Sequence, residues 1–373
     1  MLITTKTLER YRICVCNIIT YILVSQKIHL KIRGGILLLK RSLGQYYTID
    51  DLWLKKQIED FIEEINPDIA FDPFAGEGHL LDVASKLGIK EVVGLDKNRE
   101  LDWNYNDSLK KIPEIENSII ITNPPYLTNY SAKRRKIYDS VGEYFLSSEY
   151  DDLYKIALEK CLENNKYVIA IIPETFINSK FPKNRLRHIT ILEENPFEDT
   201  EKPVCVVCFD DKLKDYKEID IYKNEEYIGN LKKIDSFRIS PNNNIDIDFN
   251  NKEGKLALRA VDTTNPQKKI KFMRVEELDY DLENIKVSSR LITVINIDEN
   301  LSKKELLQLI EKANKFVKKL RRETEDVILS PFKGNDKNGK RRRRLDYRTA
   351  RAILEKAYSE VKNSDKKTLF SSI

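Results

Sequence analysis

The chain has 373 residues, of which 41% are hydrophobic and 34% charged. This composition allows a large core in roughly two or three domains, and it excludes a disordered tail, a collagen-like fibre and a disulfide-stabilised miniprotein. Five scattered cysteines are too few for a disulfide framework and favour a reducing, cytoplasmic location. The three histidines leave little material for histidine-based metal chemistry.

The charge is unevenly distributed along the chain. Residues 301–373 contain 21 Lys and Arg against 10 Asp and Glu, a net charge of +11, whereas residues 1–300 carry a net charge of −6. A polyanionic partner is therefore expected to meet the C-terminal part of the chain.

The first 36 residues are interpreted as an N-terminal extension. Their apolar run, 13–24, spans twelve residues, whereas a membrane-spanning helix needs about 20, so no membrane association is expected. A signal peptide is the alternative, but no small-x-small cleavage site follows the run. A further hypothesis is that Met1 is not the native start, since Arg33-Gly34-Gly35 is what a purine-rich ribosome-binding sequence would encode.

Three consecutive segments predict an α/β domain with a mostly parallel sheet. Residues 68–81 favour a strand, a glycine-containing turn and a helix; residues 91–98 favour a strand that ends in an acid; residues 118–126 favour a strand that ends in Asn-Pro-Pro-Tyr. Each segment places polar groups at the carboxyl end of a strand, where open α/β sheets bind ligands.

The rest of the chain gives a second set of expectations. Residues 127–148 are polar and carry the basic run Lys133-Arg134-Arg135-Lys136, which favours a mobile loop. The later predicted elements are a helix at 151–162, strands at 167–173 and 203–209, a linker at 241–251, a helix at 303–322, a loop at 332–340 and a helix at 347–361.

The glycine turn and two acids indicate a nucleoside-binding site. Gly76 and Gly78 allow backbone amides to approach a ligand closely, although such a turn alone also fits an ordinary tight connection. Asp96 ends the next predicted strand, where a carboxylate can bind both hydroxyls of a ribose, and Asp107 is placed to accept a hydrogen bond from an adenine amino group. The turn lacks the Gly-Lys-Ser/Thr pattern of a phosphate loop, which favours a nucleoside without a pyrophosphate.

The Asn123-Pro124-Pro125-Tyr126 turn indicates chemistry on an exocyclic amine. Such an amine is a poor nucleophile because its lone pair is delocalised into the ring. The Asn123 amide oxygen and the Pro124 carbonyl can accept its two N–H bonds and expose the lone pair, and this stabilisation is strongest in the transition state. Tyr126 offers an aromatic face for the planar substrate. The alternative is a proline-rich turn without catalytic function.

On these motifs the chain resembles the S-adenosylmethionine-dependent N6-adenine DNA methyltransferases of type II restriction–modification systems, with the motif order of their gamma group. The resemblance implies a Rossmann-like catalytic domain at 37–212 with a mostly parallel, seven-stranded sheet, and a C-terminal α+β DNA-recognition region at 213–373. It also implies that Phe197 stacks on a flipped adenine, as Tyr126 does. The implied contacts to S-adenosylmethionine are Tyr47, Thr48, Asp72, Phe74, Ala75, Gly76, Gly78, Asp96, Asp107, Ser108, Leu109 and Asn123.

The implied partners are double-stranded DNA and, functionally, a cognate restriction endonuclease. The arginine run 341–344 is expected to contact DNA because guanidinium groups can bind phosphate and guanine through two hydrogen bonds. The residues expected to contact DNA are Lys133, Arg134, Arg135, Lys340, Arg341, Arg342, Arg343, Arg344 and Arg348. The charge run is alternatively a solvated surface of a lysine-rich protein.

Other functions share parts of this pattern. An rRNA or tRNA adenine methyltransferase, a protein-glutamine methyltransferase and a non-catalytic DNA-binding module are the alternatives. Cys205 and Cys208 lie in a predicted strand, where residues three apart point to opposite faces, so we predict core thiols there and no structural metal.

Overall fold

The computed structural model describes residues 48, 51–197, 200–284, 291–297 and 301–370. The predicted extension at 1–36 and the predicted cofactor contact Tyr47 lie outside these residues. The described chain forms two compact units, one from residues 124–157 and one from all the other described residues. No helix in the described part of the chain is both long and apolar enough to span a membrane.

The larger unit contains one nine-stranded sheet with the order β3-β2-β1-β4-β5-β7-β6-β8-β9. Neighbours from β3 to β5 run parallel, and β7 lies antiparallel between β5 and β6. The strand bounds are β1 Ile69–Asp72, β2 Glu91–Asp96, β3 Asn104–Tyr105, β4 Ser118–Thr122, β5 Val168–Pro173, β6 Leu186–Ile191, β7 Val204–Phe209, β8 Asp220–Lys223 and β9 Glu226–Asn230.

The expected count of seven strands is wrong, because this sheet has nine. β8 pairs in parallel with β6, and β9 returns antiparallel to β8 through a turn in which Asn224 has a φ of +51°. These two strands are rich in charged and polar residues, so no apolar run predicted them. Both β8 and β9 lie in residues 213–373, the region that the sequence analysis assigned to DNA recognition. The division into two domains at residue 212 stays a prediction.

The central strands form because their apolar runs are buried throughout. Every residue of β4, β5 and β7 is buried, as expected where helices cover both faces of a sheet. The helices of this unit include α1 Lys56–Ile65, α2 His79–Lys86 and α6 Leu231–Ser236, and the chain enters the unit again within α5 Leu153–Asn164. In α1, Ile58, Phe61 and Ile62 lie at helical spacing and are buried.

The C-terminal part of the larger unit combines helices and antiparallel strands. It contains a four-stranded sheet of order β10-β13-β11-β12, a hairpin β14-β15 and two long helices. The α7 helix begins with a Ser302/Glu305 capping box, and its buried face (Leu309, Ala313, Val317) packs with Ile353 and Ala357 of α8. The bounds are β10 Ile247–Phe249, β11 Leu256–Arg259, β12 Lys271–Arg274, β13 Ile292–Ile297, α7 Lys303–Glu323, β14 Ser330–Asn335, β15 Arg341–Arg344 and α8 Tyr347–Phe370.

Three segments differ from the sequence-based expectations. Residues 127–148, expected as a loop, contain α3 Asn129–Arg134 and α4 Tyr138–Leu146, and the expected linker at 241–251 contains β10. Most of the expected loop at 332–340 belongs to the β14-β15 hairpin, whose turn forms because the Asp336 carboxylate accepts hydrogen bonds from the backbone of Asn338 and Lys340. The arginine run is therefore a strand, with side chains on alternate faces.

Candidate active site

The glycine turn follows β1 at the carboxyl edge of the sheet. Gly76 and Gly78 have φ values of +55° and +88°, a region that favours glycine. Asp72, at the end of β1, accepts hydrogen bonds through Oδ1 from the Phe74 backbone (2.9 Å) and the Thr122 hydroxyl (2.6 Å). Burial raises the pKa of the Asp72 carboxyl to about 7, against the hydrogen bonds, which lower it.

Asp96 joins the glycine turn to the end of β2. Its Oδ2 accepts a hydrogen bond from the Gly76 amide at 3.0 Å, and its Oδ1 accepts one from the Asn98 amide at 2.7 Å. The carboxylate is 8% exposed. Two backbone donors thus fix the position of the group that the sequence analysis expects to bind a ribose.

Trp103 belongs to this site and was not predicted. Its indole Nε1 donates to the Gly76 carbonyl at 2.9 Å. A methyl group added at Gly78 or Gly94 would lie 2.9 Å or 2.4 Å from the indole ring, so both glycines make room for this side chain. Gly94 lies within β2, and a glycine inside a strand often marks the close approach of another group. This glycine was the feature of the sequence that could have indicated a large side chain packed against β2.

The Asp107 segment lies beside the same edge. The Asn106 amide donates to the Asp96 carbonyl at 3.0 Å, and the Asn106 side chain donates to the buried Ser108 hydroxyl at 2.8 Å. The Asp107 carboxylate accepts from Lys97 Nζ at 3.0 Å. The structure therefore brings Asp96, Asp107 and Ser108 together around the end of β2, with Leu109 half-buried next in the chain. Of the turn residues, Ala75 is buried and Phe74 half-buried.

Asn123 follows β4, the neighbour of β1. Its Nδ2 lies 3.3 Å from the Thr48 hydroxyl oxygen, which accepts the hydrogen bond. Thr48 itself is held by an antiparallel bridge to Phe197 and by a hydrogen bond between its carbonyl and Nδ1 of His79, at 2.8 Å. Phe197 is only 3% exposed.

The chain continues from Asn123 into the smaller unit with Pro124, Pro125 and Tyr126. Pro124 and Tyr126 are buried and Pro125 is half-buried. Tyr126 makes an edge-to-face contact with Tyr154 in the same unit, with ring centroids 6.5 Å apart. The basic residues Lys133, Arg134 and Arg135 are exposed at the end of α3 and just beyond it.

The arginine strand corrects one expectation. Arg341 and Arg343 are 8% and 2% exposed, so the expectation that their side chains lie on a DNA-contacting surface is wrong. Arg343 forms a buried ion pair with Glu174, which follows β5, and Arg341 donates to the Leu192 and Glu193 carbonyls at 3.0 and 3.3 Å. They face inward because alternate residues of a strand point to one side.

The remaining predicted basic residues keep some exposure. Arg342 and Arg344 are half-buried, and Arg342 donates to the Asp262 carbonyl and lies over the Phe332 ring. Lys340 and Arg348 are exposed. Their DNA contacts stay a prediction.

A cleft of about 760 Å³ is lined by the segment that joins β5 to β6 and by residues of the C-terminal part of the larger unit. Lys180 and Arg348 line it and are exposed, whereas Arg238 in its wall pairs with Asp235 at 2.6 Å. The lining also contains Lys183 and Asp346, so its basic residues outnumber its acidic ones by four to two.

The thiols of Cys205 and Cys208 are buried in β7, and burial raises the pKa of both. Within the described ranges, no three His, Cys, Asp or Glu side chains are grouped closely enough to hold a metal ion.

Comparison with known proteins connects this site to a family. No curated protein matches the chain. Among solved structures, a type I restriction–modification methyltransferase subunit from Streptococcus thermophilus shares 17% identity over 51% of this chain and 52% of that one, with a TM-score of 0.33, so the match spans about half of that subunit. A candidate RNA methyltransferase from Pyrococcus horikoshii shares 19% identity over 47% of this chain and 91% of that one, with a TM-score of 0.30.

Neither structural likeness is strong enough to support an argument about this chain. The family comparison is more specific, because its model covers the glycine turn, Asp96, Asp107, the Asn-Pro-Pro-Tyr turn and Phe197 in one continuous match. Residues 36–200 of the chain match the family model described as Eco57I restriction-modification methylase.

Proposed function

We propose that the protein is a DNA methyltransferase that transfers the methyl group of S-adenosylmethionine to N6 of an adenine flipped out of duplex DNA. The observation that carries the proposal is the position of Asn123: it directly follows β4, and its amide nitrogen donates to the Thr48 hydroxyl. The glycine turn and Asp96 lie at the same edge of the sheet.

The groups around the glycine turn fit the cofactor. Two glycines in left-handed backbone conformations leave space beside their amides, and the neighbouring carboxylates of Asp96 and Asp107 are acceptors suited to ribose hydroxyls and an adenine amino group. Bound S-adenosylmethionine supplies an electrophilic methyl group. Thr48 and Asp96, each held by backbone interactions, would contact its methionine and ribose parts.

The protein's own contribution to the reaction is then electrostatic and positional. The Asn123 Oδ1 and the Pro124 carbonyl accept the two N–H bonds of the target amine, which frees its lone pair to attack the methyl group. Pro124 and Pro125 restrict the backbone of the turn. Extrusion of the adenine costs a few kcal/mol, and stacking on Tyr126 and Phe197, worth about 1–3 kcal/mol per base, would offset part of that cost.

The biological role we propose is protection of host DNA from a cognate restriction endonuclease, in the cytoplasm. Residues 37–212 would hold the catalytic functions and residues 213–373 the recognition of the DNA sequence. Lys133, Arg134, Arg135 and the exposed residues Lys340 and Arg348 would contact the DNA backbone.

The test is methyl transfer from isotopically labelled S-adenosylmethionine to genomic DNA of a methylation-deficient host, with methylated bases identified by mass spectrometry. We expect N6-methyladenine in DNA. We also expect Asn123→Ala to lower the rate by about 10²–10³ while cofactor affinity is retained. Asn164→Ala is the matched control, because Asn164 is exposed at the end of α5.

Substrates of the other candidate functions belong in the same assay. The proposal would be replaced by one of those functions if no label entered DNA and the label were found instead in ribosomal or transfer RNA, or on a glutamine of a release factor. Near-normal turnover in Asn123→Ala would remove this residue from its catalytic role.

A further inference from the structure

The helical pair α3-α4 follows the Asn-Pro-Pro-Tyr turn in the smaller unit. α3 begins with a cap, in which the Thr128 hydroxyl accepts a hydrogen bond from the Ser131 amide at 3.1 Å. It ends at a turn where Lys136 has a φ of +58°. Ala132, Val141 and Phe145 are buried. The pair is thus a folded element with an apolar inner face.

The outer surface of α3 and of the turn after it is basic and carries an exposed aromatic ring, whereas α4 carries the exposed acids Asp139 and Glu143. Lys133, Arg134, Arg135 and Lys136 are all exposed, and residues 127–138 contain no acidic residue. Tyr130 is 73% exposed, one helical turn before Arg134, whose guanidinium carbon lies 5.9 Å from the centre of the tyrosine ring. We call Tyr130 with residues 133–136 the α3 surface.

This combination suits unpaired nucleic acid. Surfaces that bind single strands combine cations along the phosphates with aromatic rings on which bases stack. Tyr130 offers a flat face beside four cations, and a nucleic acid strand offers flat bases beside negative phosphates.

The position along the chain places the α3 surface near the reacting base. Tyr130 comes four residues after Tyr126, so their Cα atoms are at most about 14 Å apart. Neighbouring bases of a DNA strand are stacked about 3.4 Å apart, so this distance covers only a few bases around an adenine bound at the Asn-Pro-Pro-Tyr turn.

We propose that Tyr130 stacks on a DNA base next to the position of the flipped adenine, while residues 133–136 bind the adjoining phosphates. The inference rests on the proposed function and adds a second base contact outside the catalytic turn. Flipping opens the base stack at one position, and an inserted side chain compensates for the stacking that is lost there. Arg134 lies against the ring and neutralises the nearest phosphate.

The test is equilibrium binding of the full-length protein to a fluorescein-labelled duplex that contains one central A·C mismatch, which stands in for an unpaired adenine. Tyr130→Ala should weaken binding about tenfold, the order of one lost base stack, whereas Tyr130→Phe should bind as the wild type does. Leu87→Ala is the control because Leu87 is also an exposed large apolar side chain, at 39%, but lies just after α2, outside the segments proposed to contact DNA. Circular dichroism and cofactor affinity verify that each variant is folded.

The outcomes separate this inference from the proposed function. If the wild type methylates adenine in DNA but Tyr130→Ala binds within twofold of it, the stacking role is wrong and the proposed function stands. If Tyr130→Phe loses as much affinity as Tyr130→Ala, the hydroxyl and not the ring makes the contact, and stacking is again excluded. If the wild type neither binds nor methylates DNA, both proposals are overturned.

Discussion

The buried ion pair between Arg343 and Glu174 gives a quantitative prediction about the arginine strand. The side chains are 3% and 1% exposed, respectively. In Arg343→Ala the Glu174 carboxylate would stay buried without its partner, and its Oε2 already has no hydrogen-bond partner among the described residues. Removing one member of a buried pair costs about 3–5 kcal/mol, so we expect the free energy of unfolding to fall by that amount.

The assay is urea unfolding, followed by the fluorescence of the two tryptophans, Trp53 and Trp103, both of which lie in the larger unit. Arg348→Ala is the control, because an exposed side chain should change stability by no more than about 0.5 kcal/mol. Glu174→Gln combined with Arg343→Met should recover much of the loss, since neither buried charge is then left alone.

A different result would restore the original expectation for this residue. If Arg343→Ala were as stable as Arg348→Ala and lost DNA affinity with a reduced salt dependence, Arg343 would be a DNA contact, and the buried pair would not describe the protein in solution. If Arg343→Ala is destabilised as expected, DNA binding by this variant should show the wild-type salt dependence under conditions in which the variant is fully folded.

Three further predictions concern the site and the cleft. The double variant Lys180→Ala/Arg348→Ala should lower the slope of log affinity for duplex DNA against log salt concentration by about 1.8, at about 0.9 per lost phosphate contact. Lys86→Ala, at an exposed position at the end of α2, should leave the slope unchanged. An unchanged slope in the double variant would exclude the cleft from the DNA-binding surface. Because folding raises the pKa of Asp72 from 3.8 to about 7, the folded state binds its proton more tightly, so thermal stability should fall between about pH 4 and pH 7 and then level off; Asp72→Asn should flatten this profile, and an unaltered profile would contradict the assignment. Thr48→Val should lower kcat more than it raises KM for DNA while Thr48→Ser retains activity, since the hydroxyl orients the catalytic amide; equal effects of both variants would argue against that role.

The parallel half of the fold was predictable because its strands are continuous apolar runs. β1, β2, β4, β5 and β7 were all predicted. β6 was not, because Arg187 and His188 interrupt its apolar pattern; in the structure His188 is buried, and burial lowers its pKa to about 4, so it lies neutral within the sheet. The spacing of apolar residues indicates the average burial of a segment, and it does not indicate that a single polar residue such as His188 is buried.

The candidate site was predictable where it depends on strand ends. Asp72 and Asp96 are the last residues of strands and Asn123 directly follows one, and parallel strands bring such positions to one edge of the sheet. The Thr48 hydrogen bond to Asn123 and the ion pair of Glu174 with Arg343 join residues far apart in sequence. No local pattern encodes such pairs, so the inward direction of alternate arginines could be found only in the structure.

The bridge between Thr48 and Phe197 has a consequence for synthesis of the protein. Thr48 leaves the ribosome early, but the strand partner that holds it comes about 150 residues later. At about 5–20 residues per second this interval lasts about 7–30 s. The glycine turn and Asn123 are complete well before that time, whereas the hydroxyl that orients the Asn123 amide gains its support only when residue 197 has been made. A nascent chain should therefore acquire methyl-transfer activity only after residue 197 has been made.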